Sequence, residues 1–475
     1  MQTPEVRSLS FTGGDAGRHR LSWGQKWIWR SVVLNHPRHQ FLNLRIITPI
    51  PAGLSTATVL KGISTLLGRH QALRTRFGVD GMGIPFQVVA GKGEISVAIH
   101  ETPEDDDFDR RAEEILAGLA DTPFAMSELA VRAAITTVRG QPVHALLAMF
   151  HATCDGVGAQ RIVADLQTLM SGDAAPLRQQ KIVHPADRVA YEKSADGLAQ
   201  SRRSVAFWER EVAKFNPVPP EPERASSNGF PFPEISIRSR ALTQSLEILA
   251  AHFNVGLPAV LVALSARLLC ARSATTGIGF LVFCHNRIDK RTRALSSTIV
   301  QNFPIYVDVG ARSLEAILKS VNKGLLVGFI HGQYDPDSLS ASLDELAKRR
   351  GTEPDLSYAV NVFTDPQAVG SRTAPAPAGR RDPQDVAREL HMKLASTGIL
   401  ESPGPDRDDM SFYLTAALDS DALIGRVRVN AARHSRADAV DFLKDLEHSA
   451  VREAVTALED PVRLLGGTVS PDSPG

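Results

Sequence analysis

The sequence predicts a mixed α/β protein made of two lobes of similar size. Its 475 residues exceed the roughly 100–200 residues that one domain usually holds, so we expect at least two hydrophobic cores. Patterns typical of strands and of helices alternate along both halves of the chain. A segment rich in Pro, Glu and Ser, residues 215–232, separates the two halves. We therefore expect an N-terminal lobe over residues 1–214, a linker over 215–235 and a C-terminal lobe over 236–475.

In the N-terminal half, strands are predicted where apolar residues alternate and helices where they recur at helical spacing. The expected strands are residues 40–50, 84–90, 94–99, 130–138 and 142–150. The expected helices are residues 55–70, 108–119 and 157–170, with a further helical segment around Phe207 and Trp208. Because the strand 142–150 precedes His151 and a helix follows Asp155-Gly156, residues 151–156 are predicted to form a tight strand-to-helix turn.

The C-terminal half repeats this alternation. Helices are predicted over residues 258–271, 313–330, 337–349 and 436–456. Strands are predicted over residues 277–284, 357–363, 411–418 and 422–430, together with one that ends at residues 302–304. The segments 364–386 and 399–409, rich in Pro, Ala, Gly and Arg, are predicted to be loops.

Composition and charge exclude several classes of function. Lys plus Arg and Asp plus Glu both number 53, so no basic surplus is available to bind nucleic acid or anionic lipid. The three cysteines, Cys154, Cys270 and Cys284, are far apart and odd in number, which fits a reducing cytoplasm. No apolar run reaches the roughly 18 residues of a membrane span, and the N-terminus lacks the apolar core of a signal peptide. We therefore expect a cytoplasmic protein that binds neither nucleic acid nor membrane.

The turn at residues 151–156 is the strongest candidate for chemistry. His151 lies at a strand end, and an imidazole with a reference pKa of about 6.5 is mostly neutral near pH 7 and can act as a general base. Asp155, at the start of the next helix, can orient the histidine or hold the loop. The alternative for this spacing alone is that His151 is only a polar residue at a strand end and Asp155 only a helix cap.

Four segments, in this order along the chain, carry a family resemblance. They are Leu21-Ser22-Trp23-Gly24-Gln25 with Trp29, the run from Arg69 to Phe77 (RHQALRTRF), the run from Ala148 to Gly156 containing HxxxDG, and Gly277 to Arg287 followed by Val300 to Pro304. This set resembles the motifs of the condensation-domain superfamily, which includes condensation and epimerisation domains of peptide synthetases and polyketide-associated acyltransferases. The resemblance extends over most of the chain, and RHQALRTRF is its most specific part.

The resemblance implies a fold and a set of site residues. The fold would be two chloramphenicol-acetyltransferase-like lobes in a V-shaped pseudo-dimer with a central substrate tunnel. By position in the motifs, His151 corresponds to the catalytic histidine and Gly156 to the glycine that lines the catalytic site. Asp155 corresponds to a structural aspartate, and Arg287 to the arginine that pairs with it. A main-chain N–H near Gly156, at a helix N-terminus, can stabilise an oxyanion.

Three further residues are possible tunnel-lining positions. Phe150 stands where the family has its first histidine, and we interpret it as a core residue because neighbouring residues of a strand point to opposite faces. Cys154 lies inside the motif and is interpreted as a small buried filler rather than a nucleophile. Asn302 can donate a hydrogen bond near the tunnel or serve a turn at a strand end.

The resemblance also implies an activity. A member of this family would join an acyl or aminoacyl thioester, held on a carrier protein's phosphopantetheine arm or on coenzyme A, to an amine or hydroxyl acceptor in secondary-metabolite biosynthesis. It needs no metal and no bound cofactor. Because the chain ends soon after its last predicted helix, we expect a free-standing protein whose carrier partners come in trans. The alternative is a catalytically inactive scaffold that binds a carrier protein or recruits a partner enzyme, and Phe150 keeps this alternative open.

Overall fold

The computed structural model describes residues 3–104, 107–172, 175–180, 182–220, 231–363, 382–402, 404–419 and 422–459. By their contacts they form two compact units. The first unit comprises Met1–Val205, His285–Gln301 and Gln333–Ser340, and the second comprises Ala206–Cys284, Asn302–Gly332 and Ala341–Gly475. Two stretches from the second half of the sequence thus belong to the first unit. The linker expected at 215–235 includes residues 221–230, which lie outside the described residues.

The first unit contains a five-stranded and a three-stranded sheet. Its strands are β1 (Glu5–Thr12), β2 (Gly17–Arg20), β3 (Leu44–Pro49), β4 (Thr75–Val79), β5 (Pro85–Val89), β6 (Lys92–Glu101), β7 (Val131–Val138) and β8 (Gln141–Met149). The larger sheet has the order β1-β6-β7-β8-β3, in which only the β6–β7 pair is parallel. The smaller sheet, β2-β5-β4, is antiparallel.

Helices accompany these strands. They are α1 (Trp23–Leu34), α2 (Thr56–Arg69), α3 (Phe108–Ala120), α4 (Gly156–Met170), α5 (Ala175–Gln179), α6 (Pro185–Glu192), α7 (Ala195–Val212) and the short α10 (Lys290–Arg293). Two 3-10 turns, Gln40–Leu42 and Gln71–Arg74, complete the described elements before residue 205. Helix α7 begins in the first unit and ends in the second.

The second unit is built on a seven-stranded mixed sheet, in the order β11-β10-β12-β14-β15-β9-β13. Its strands are β9 (Glu234–Ser239), β10 (Gly277–Cys284), β11 (Gln301–Asp308), β12 (Tyr358–Phe363), β13 (Gly398–Ser402), β14 (Phe412–Asp419) and β15 (Ala422–Val429). Its helices are α8 (Arg240–Phe253), α9 (Leu257–Ser273), α11 (Leu314–Ile330), α13 (Pro383–Leu394) and α14 (Arg436–Glu459), together with most of α12 (Pro336–Arg350), whose residues up to Ser340 belong to the first unit. Strands β10, β12 and β14 run parallel, whereas the pairs from β14 to β13 are antiparallel.

Strand β8 positions the candidate site because it is buried on both faces. Ala145, Leu147 and Met149 pack in the core formed with α2 and α4, and Leu146 and Ala148 pack on the opposite side against α3. Helix α2 shows why this core forms: Ser55 caps its first turn, and its buried residues recur at helical spacing on one face. The end of β8, where the predicted turn begins, is therefore held from both sides.

Most of the predicted elements are present, and the expected mixed α/β class is confirmed. Residues 40–42 form a 3-10 turn rather than the start of a strand. The strand predicted to end at residues 302–304 instead begins at Gln301 and continues to Asp308. Pro304 does not end the strand, because β11 is an edge strand of its sheet, where a proline's missing N–H is tolerated.

The predicted loops also need correction. Residues 398–402 form β13, the other edge strand, whose mostly exposed residues lack the alternation that reveals a half-buried strand. Of the predicted loop 364–386, residues 364–381 lie outside the described residues, and helix α13 begins at Pro383.

Within the described part of the chain, no single helix is long and apolar enough to cross a membrane. Helices α8 and α9 meet those criteria only when counted together, and they are bent by 105° relative to each other.

Candidate active site

The turn after β8 is tied to its surroundings by main-chain and side-chain hydrogen bonds. The Phe150 N–H donates to the Ala130 carbonyl at 3.1 Å, and the Thr153 N–H donates to the Phe150 carbonyl at 2.9 Å. The buried Thr153 hydroxyl donates to the carbonyl of Ala72 at 2.6 Å, inside the RHQALRTRF segment. Two of the segments singled out in the sequence therefore meet at this turn.

His151 lies in this turn and is of intermediate exposure as a residue. Its Nδ1 is buried and has no hydrogen-bond partner of normal geometry among the described residues. Burial lowers the pKa of the imidazole, and the opposing influence of the nearby main chain and of the Asp155 charge does not cancel this. The ring is therefore neutral at pH 7 and able to accept a proton.

Asp155 is the N-cap of α4, and both of its carboxylate oxygens accept several hydrogen bonds. Its Oδ1 accepts from the Gly158 N–H at 2.9 Å and from Arg287 Nη2 at 2.7 Å. Its Oδ2 accepts from Arg287 Nη1 at 2.9 Å and from the N–H groups of Ile299 and Val300 at 2.9 and 3.2 Å. Burial opposes ionisation, but the charge and hydrogen bonds of Arg287, with the main-chain donors, outweigh it and lower the pKa of this carboxyl. A carboxylate so engaged holds structure and is a poor proton relay.

Arg287 extends this bond into the loop 285–301, which belongs to the first unit. Besides Asp155, its guanidinium donates to the carbonyls of Ser297 at 2.8 Å, His285 at 3.2 Å and Leu295 at 3.4 Å. Its side chain is only 4% exposed. The loop is thus folded around Arg287, and the Asp155 bonds attach the whole loop to the start of α4.

A second buried group of polar side chains fixes the same loop. His70, at the C-terminal end of α2, bonds through Nε2 to Asp165 Oδ2 at 2.9 Å and through Nδ1 to the Ser296 hydroxyl at 3.0 Å. Arg69 Nε also donates to Asp165 Oδ2, at 2.8 Å. His70 and Ser296 are fully buried, so this Ser-His-Asp arrangement has no access to a substrate and positions the loop. His70 belongs to the RHQALRTRF segment singled out in the sequence, whereas Asp165 and Ser296 were not identified from it.

The N-terminal motif, Ser22 to Gln25, contacts the same loop, residues 285–301. Ser22 and Gln25 form a reciprocal cap at the start of α1: the Ser22 N–H donates to Gln25 Oε1 at 2.9 Å, and the Gln25 N–H to Ser22 Oγ at 3.3 Å. A Cβ on Gly24 would lie 2.6 Å from the Ile299 Cα and 2.7 Å from the Thr298 carbonyl oxygen. Glycine at this position lets α1 contact the main chain whose N–H groups hold Asp155.

Gly158 was not identified from the sequence, although it stands two residues after the HxxxDG motif. A Cβ there would lie 2.8 Å from Cys154 Sγ, 3.1 Å from Arg287 Nη2 and 3.3 Å from Asp155 Oδ1. By contrast, a Cβ on Gly156 would have no atom within 4 Å. Of these two residues, therefore, Gly158 must be glycine for the packing of the chain itself, whereas the space next to Gly156 is open.

These two glycines give a matched pair of stability predictions. We expect Gly158→Ala to lower the free energy of unfolding by about 1–3 kcal/mol, because the added methyl crowds a buried ion pair that cannot move aside. Gly156→Ala is expected to leave stability unchanged or to raise it by up to about 1 kcal/mol, since alanine favours the helix and meets no neighbour. Chemical denaturation of both variants measures this. Equal stability of the two would contradict the close packing around Gly158.

Arg188 and Glu192 form a second buried ion pair, near α1. The Glu192 carboxylate accepts fewer hydrogen bonds than that of Asp155. Glu192 accepts from Arg188 Nε at 2.7 Å and from the Trp23 N–H at 2.9 Å, and it is 4% exposed. Burial outweighs these contacts and raises the pKa of Glu192 from 4.5 to about 7. Arg188 also donates to Gln333 Oε1 at 2.6 Å, so the pair joins α6 to the segment 333–340 of the same unit.

The raised pKa of Glu192 predicts a pH dependence of stability. The folded protein holds this proton more tightly than the unfolded chain, so stability should fall as the pH rises from 4.5 to about 7. At about 1.4 kcal/mol for each pH unit, this change amounts to roughly 3 kcal/mol. In Glu192→Gln this contribution is absent, so the stability of the variant relative to wild type should rise across that range. Denaturation of both proteins at several pH values tests it, and a constant difference would contradict the raised pKa.

The three possible tunnel-lining residues are all buried. Phe150 is 2% exposed and packs with its ring centroid 5.3 Å from that of Phe77 and 5.8 Å from that of Phe124, which agrees with its interpretation as a core residue. Cys154 is fully buried, and burial together with the Asp155 charge raises the pKa of its thiol, so it is not a thiolate. Asn302 lies in the second unit, at the start of β11. That these residues line a tunnel stays a prediction.

Most of the sequence matches a known protein family. A family model described as "Condensation domain" matches residues 17–363. The chain is 23% identical over 332 residues to Tyrocidine synthase 2 of Brevibacillus parabrevis, and 25% identical over 365 residues to CymA, a probable nonribosomal peptide synthetase of Salinispora arenicola (strain CNS-205). These matches cover 68% and 72% of this chain but 9% and 4% of those proteins. The chain therefore spans less than a tenth of the length of these curated relatives.

Solved structures share the fold. SgcC5 from Streptomyces globisporus matches with a TM-score of 0.68 at 17% identity, over 92% of this chain and 99% of that one. The first condensation domain of the CDA synthetase matches with a TM-score of 0.66 at 16% identity, over 94% and 97% of the two chains. A condensation domain described for chain release from the enacyloxin polyketide synthase matches at 0.65 and 15%, over 98% and 86%. At these identities the similarity shows the fold alone.

Proposed function

Because the chain belongs to the condensation-domain family, we propose that it is an acyltransferase that joins a thioester-bound acyl or aminoacyl group to an amine or hydroxyl acceptor in secondary-metabolite biosynthesis. The thioester would be held on a carrier protein's phosphopantetheine arm or on coenzyme A. The observation that carries the proposal is the contrast between two neighbours: His151 is neutral and partly exposed, whereas Asp155 is fully engaged. One residue is free for proton transfer, and the other holds the loop.

In the proposed reaction, His151 takes the proton from the acceptor nitrogen or oxygen as it attacks the thioester carbonyl carbon. The new carbon–nitrogen or carbon–oxygen bond forms, the carbon–sulfur bond breaks, and the proton passes from His151 to the departing thiolate. General base catalysis of this kind contributes about 10²–10⁴ in rate, and alignment of the two reactants contributes much of the remainder. No metal or bound cofactor takes part.

Gly156 has a supporting role in this proposal. It is the first residue of α4, where N–H groups have no partner within the helix and the helix dipole is positive. The Asp155 side chain caps the N–H of Gly158 and leaves that of Gly156 available. Because Gly156 is exposed and the space beside it is open, its N–H can donate to the oxyanion that forms on the attacked carbonyl.

One observation favours a second candidate, a catalytically inactive scaffold that binds a carrier protein. Phe150 occupies the position of the family's first histidine, and it is part of an aromatic cluster rather than a polar site. Both candidates would bind carrier proteins, so docking does not separate them. The two candidates are distinguished by whether formation of the product depends on His151.

Mass spectrometry of small molecules from the producing organism tests the proposal. Three strains are compared: wild type, a chromosomal His151→Ala strain with verified protein level, and a deletion of the gene. We expect one product to vanish in both altered strains while its unjoined halves accumulate, and their masses identify donor and acceptor. An unchanged profile in His151→Ala, together with a changed one in the deletion, would reject the enzyme and support the scaffold.

A further inference from the structure

A cavity of about 620 Å³ opens on the first unit, away from the residues to which we assign catalysis. It lies beside the C-terminal turns of α2 and α4 and the described residues of 177–180 and 182–184, and none of His151, Asp155, Gly156 and Arg287 lines it. Its volume is within the roughly 300–1,000 Å³ of small-molecule sites. Gly68, near the end of α2, lies so close to β1 that a Cβ would be 2.5 Å from the Thr12 carbonyl oxygen, and both residues line the cavity.

The charge of the lining is positive. Arg69 and Arg178 both contribute, and none of the described residues that line the cavity carries a carboxylate. Arg69 is already paired, with Nε on Asp165 and Nη2 donating to the Gln180 carbonyl at 3.3 Å. Arg178 is exposed and makes no ion pair among the described residues. Among the described lining residues, about one positive charge therefore remains without a counter-charge, which favours a monoanion over a dianion.

The rest of the lining supplies an apolar wall. Leu177 and Ile182 are 6% and 9% exposed, and Leu169 packs against the core of the unit. The Ser64 and Thr65 hydroxyls, which also line the cavity, already donate to main-chain carbonyls of Ser10 and Lys61. Gln180 and His184 add uncharged polar groups to the lining, so the charged donors for a ligand are the arginines, with apolar surface beside them. This arrangement suits a molecule with one charged end and an apolar body.

We propose that this cavity binds a small amphiphilic carboxylate, whose carboxylate pairs with Arg178 and whose apolar chain or ring lies against Leu169, Leu177 and Ile182. This site is distinct from the proposed catalytic turn and does not depend on any activity. Arg178 is the residue to test because it makes no ion pair among the described residues, whereas Arg69 shares Asp165 with His70 and helps to hold the loop 285–301.

Calorimetric titration of the full chain with octanoate tests the proposal, with octan-1-ol as the uncharged and octyl phosphate as the more highly charged comparison. We expect saturable single-site binding of octanoate, at least about tenfold tighter than that of either comparison. Arg178→Gln should weaken octanoate binding by about tenfold or more. Thr65→Trp, which places a bulky ring in the cavity from the exposed side of α2, should abolish it.

Two controls locate the binding. Arg203→Gln removes an exposed arginine of α7 that does not line the cavity, and His151→Ala alters the proposed catalytic turn; both should bind octanoate as wild type does. Melting temperatures of all variants verify that they are folded. The proposal is overturned if Arg178→Gln binds octanoate with unchanged affinity, if His151→Ala loses binding, or if wild type shows no saturable binding up to about 5 mM.

Discussion

Replacement of His151 by alanine is expected to lower turnover by about 10²–10⁴-fold while the melting temperature stays within about 1 °C of wild type. Stability should be retained because Nδ1 of His151 makes no hydrogen bond of normal geometry to the described residues, so the substitution breaks none at that atom. Turnover is measured with the donor and acceptor that the metabolite comparison identifies. His448→Ala, at an exposed histidine of α14, is the control and should retain full activity. Full activity in His151→Ala would exclude the general-base role.

The pH profile adds a readout that a structural role for His151 would not produce. A general base works only when neutral, so the rate should fall as the pH drops through the pKa of His151. Because burial lowers that pKa below 6.5, the plateau of the profile should extend below pH 6.5. The residual rate of His151→Ala should lack this fall. A wild-type rate that is half-lost above pH 6.5 would contradict the environment found for the imidazole.

Replacement of Arg287 by alanine is expected to give the largest loss of stability, about 3–5 kcal/mol, because it leaves the Asp155 carboxylate buried without its counter-charge. The side chains of this pair are only 4% and 5% exposed, and the carbonyls that Arg287 binds in the loop 285–301 would also lose their donor. Activity should fall as well, since the turn that holds His151 is next to Asp155. Chemical denaturation and turnover together measure both effects.

A surface ion pair serves as the matched control for Arg287. Arg312 pairs with Asp308 at 3.2 Å, but their side chains are 46% and 50% exposed. Arg312→Ala should therefore cost only about 0.2–1 kcal/mol, because solvent screens exposed charges. In Asp155→Asn/Arg287→Gln the buried charges are both gone, and stability should recover part of the loss of Arg287→Ala. A loss in Arg287→Ala no larger than in Arg312→Ala would contradict the importance of the buried pair.

Sequence patterns predict the parts of this protein whose stability comes from side chains at regular spacing. Helix α2 is an example, because its apolar face and its Ser55 cap can both be recognised within one continuous stretch of the sequence. The turn 151–156 was predictable for the same reason, since an apolar strand precedes it and a helical pattern follows. The bounds of β11 and the existence of β13 were not predicted, because each strand lies at a sheet edge. An edge strand pairs with one neighbouring strand only, and its apolar and polar residues alternate weakly.

The support of the site was harder to predict. Asp155 was singled out from its place at the start of a predicted helix, but its partner Arg287 was identified only through the family resemblance. The N–H groups of Ile299 and Val300 complete the same set of hydrogen bonds without any side-chain signature. Ser296 lies in a short polar run that resembles an ordinary loop, although it is fully buried. Main-chain donors and buried hydroxyls act through their position in space, which residue spacing does not encode.

The division of the chain has a consequence for recombination between related genes. The first unit is assembled from three separate stretches, Met1–Val205, His285–Gln301 and Gln333–Ser340. A crossover in the Pro-rich segment would therefore join the Asp155 of one parent to the Arg287 loop of the other, and the hybrid site would depend on their compatibility. A crossover after residue 340 keeps the first unit whole but divides the second. No single crossover preserves both, so exchange of the entire region is the route that keeps the bonds of Asp155 intact.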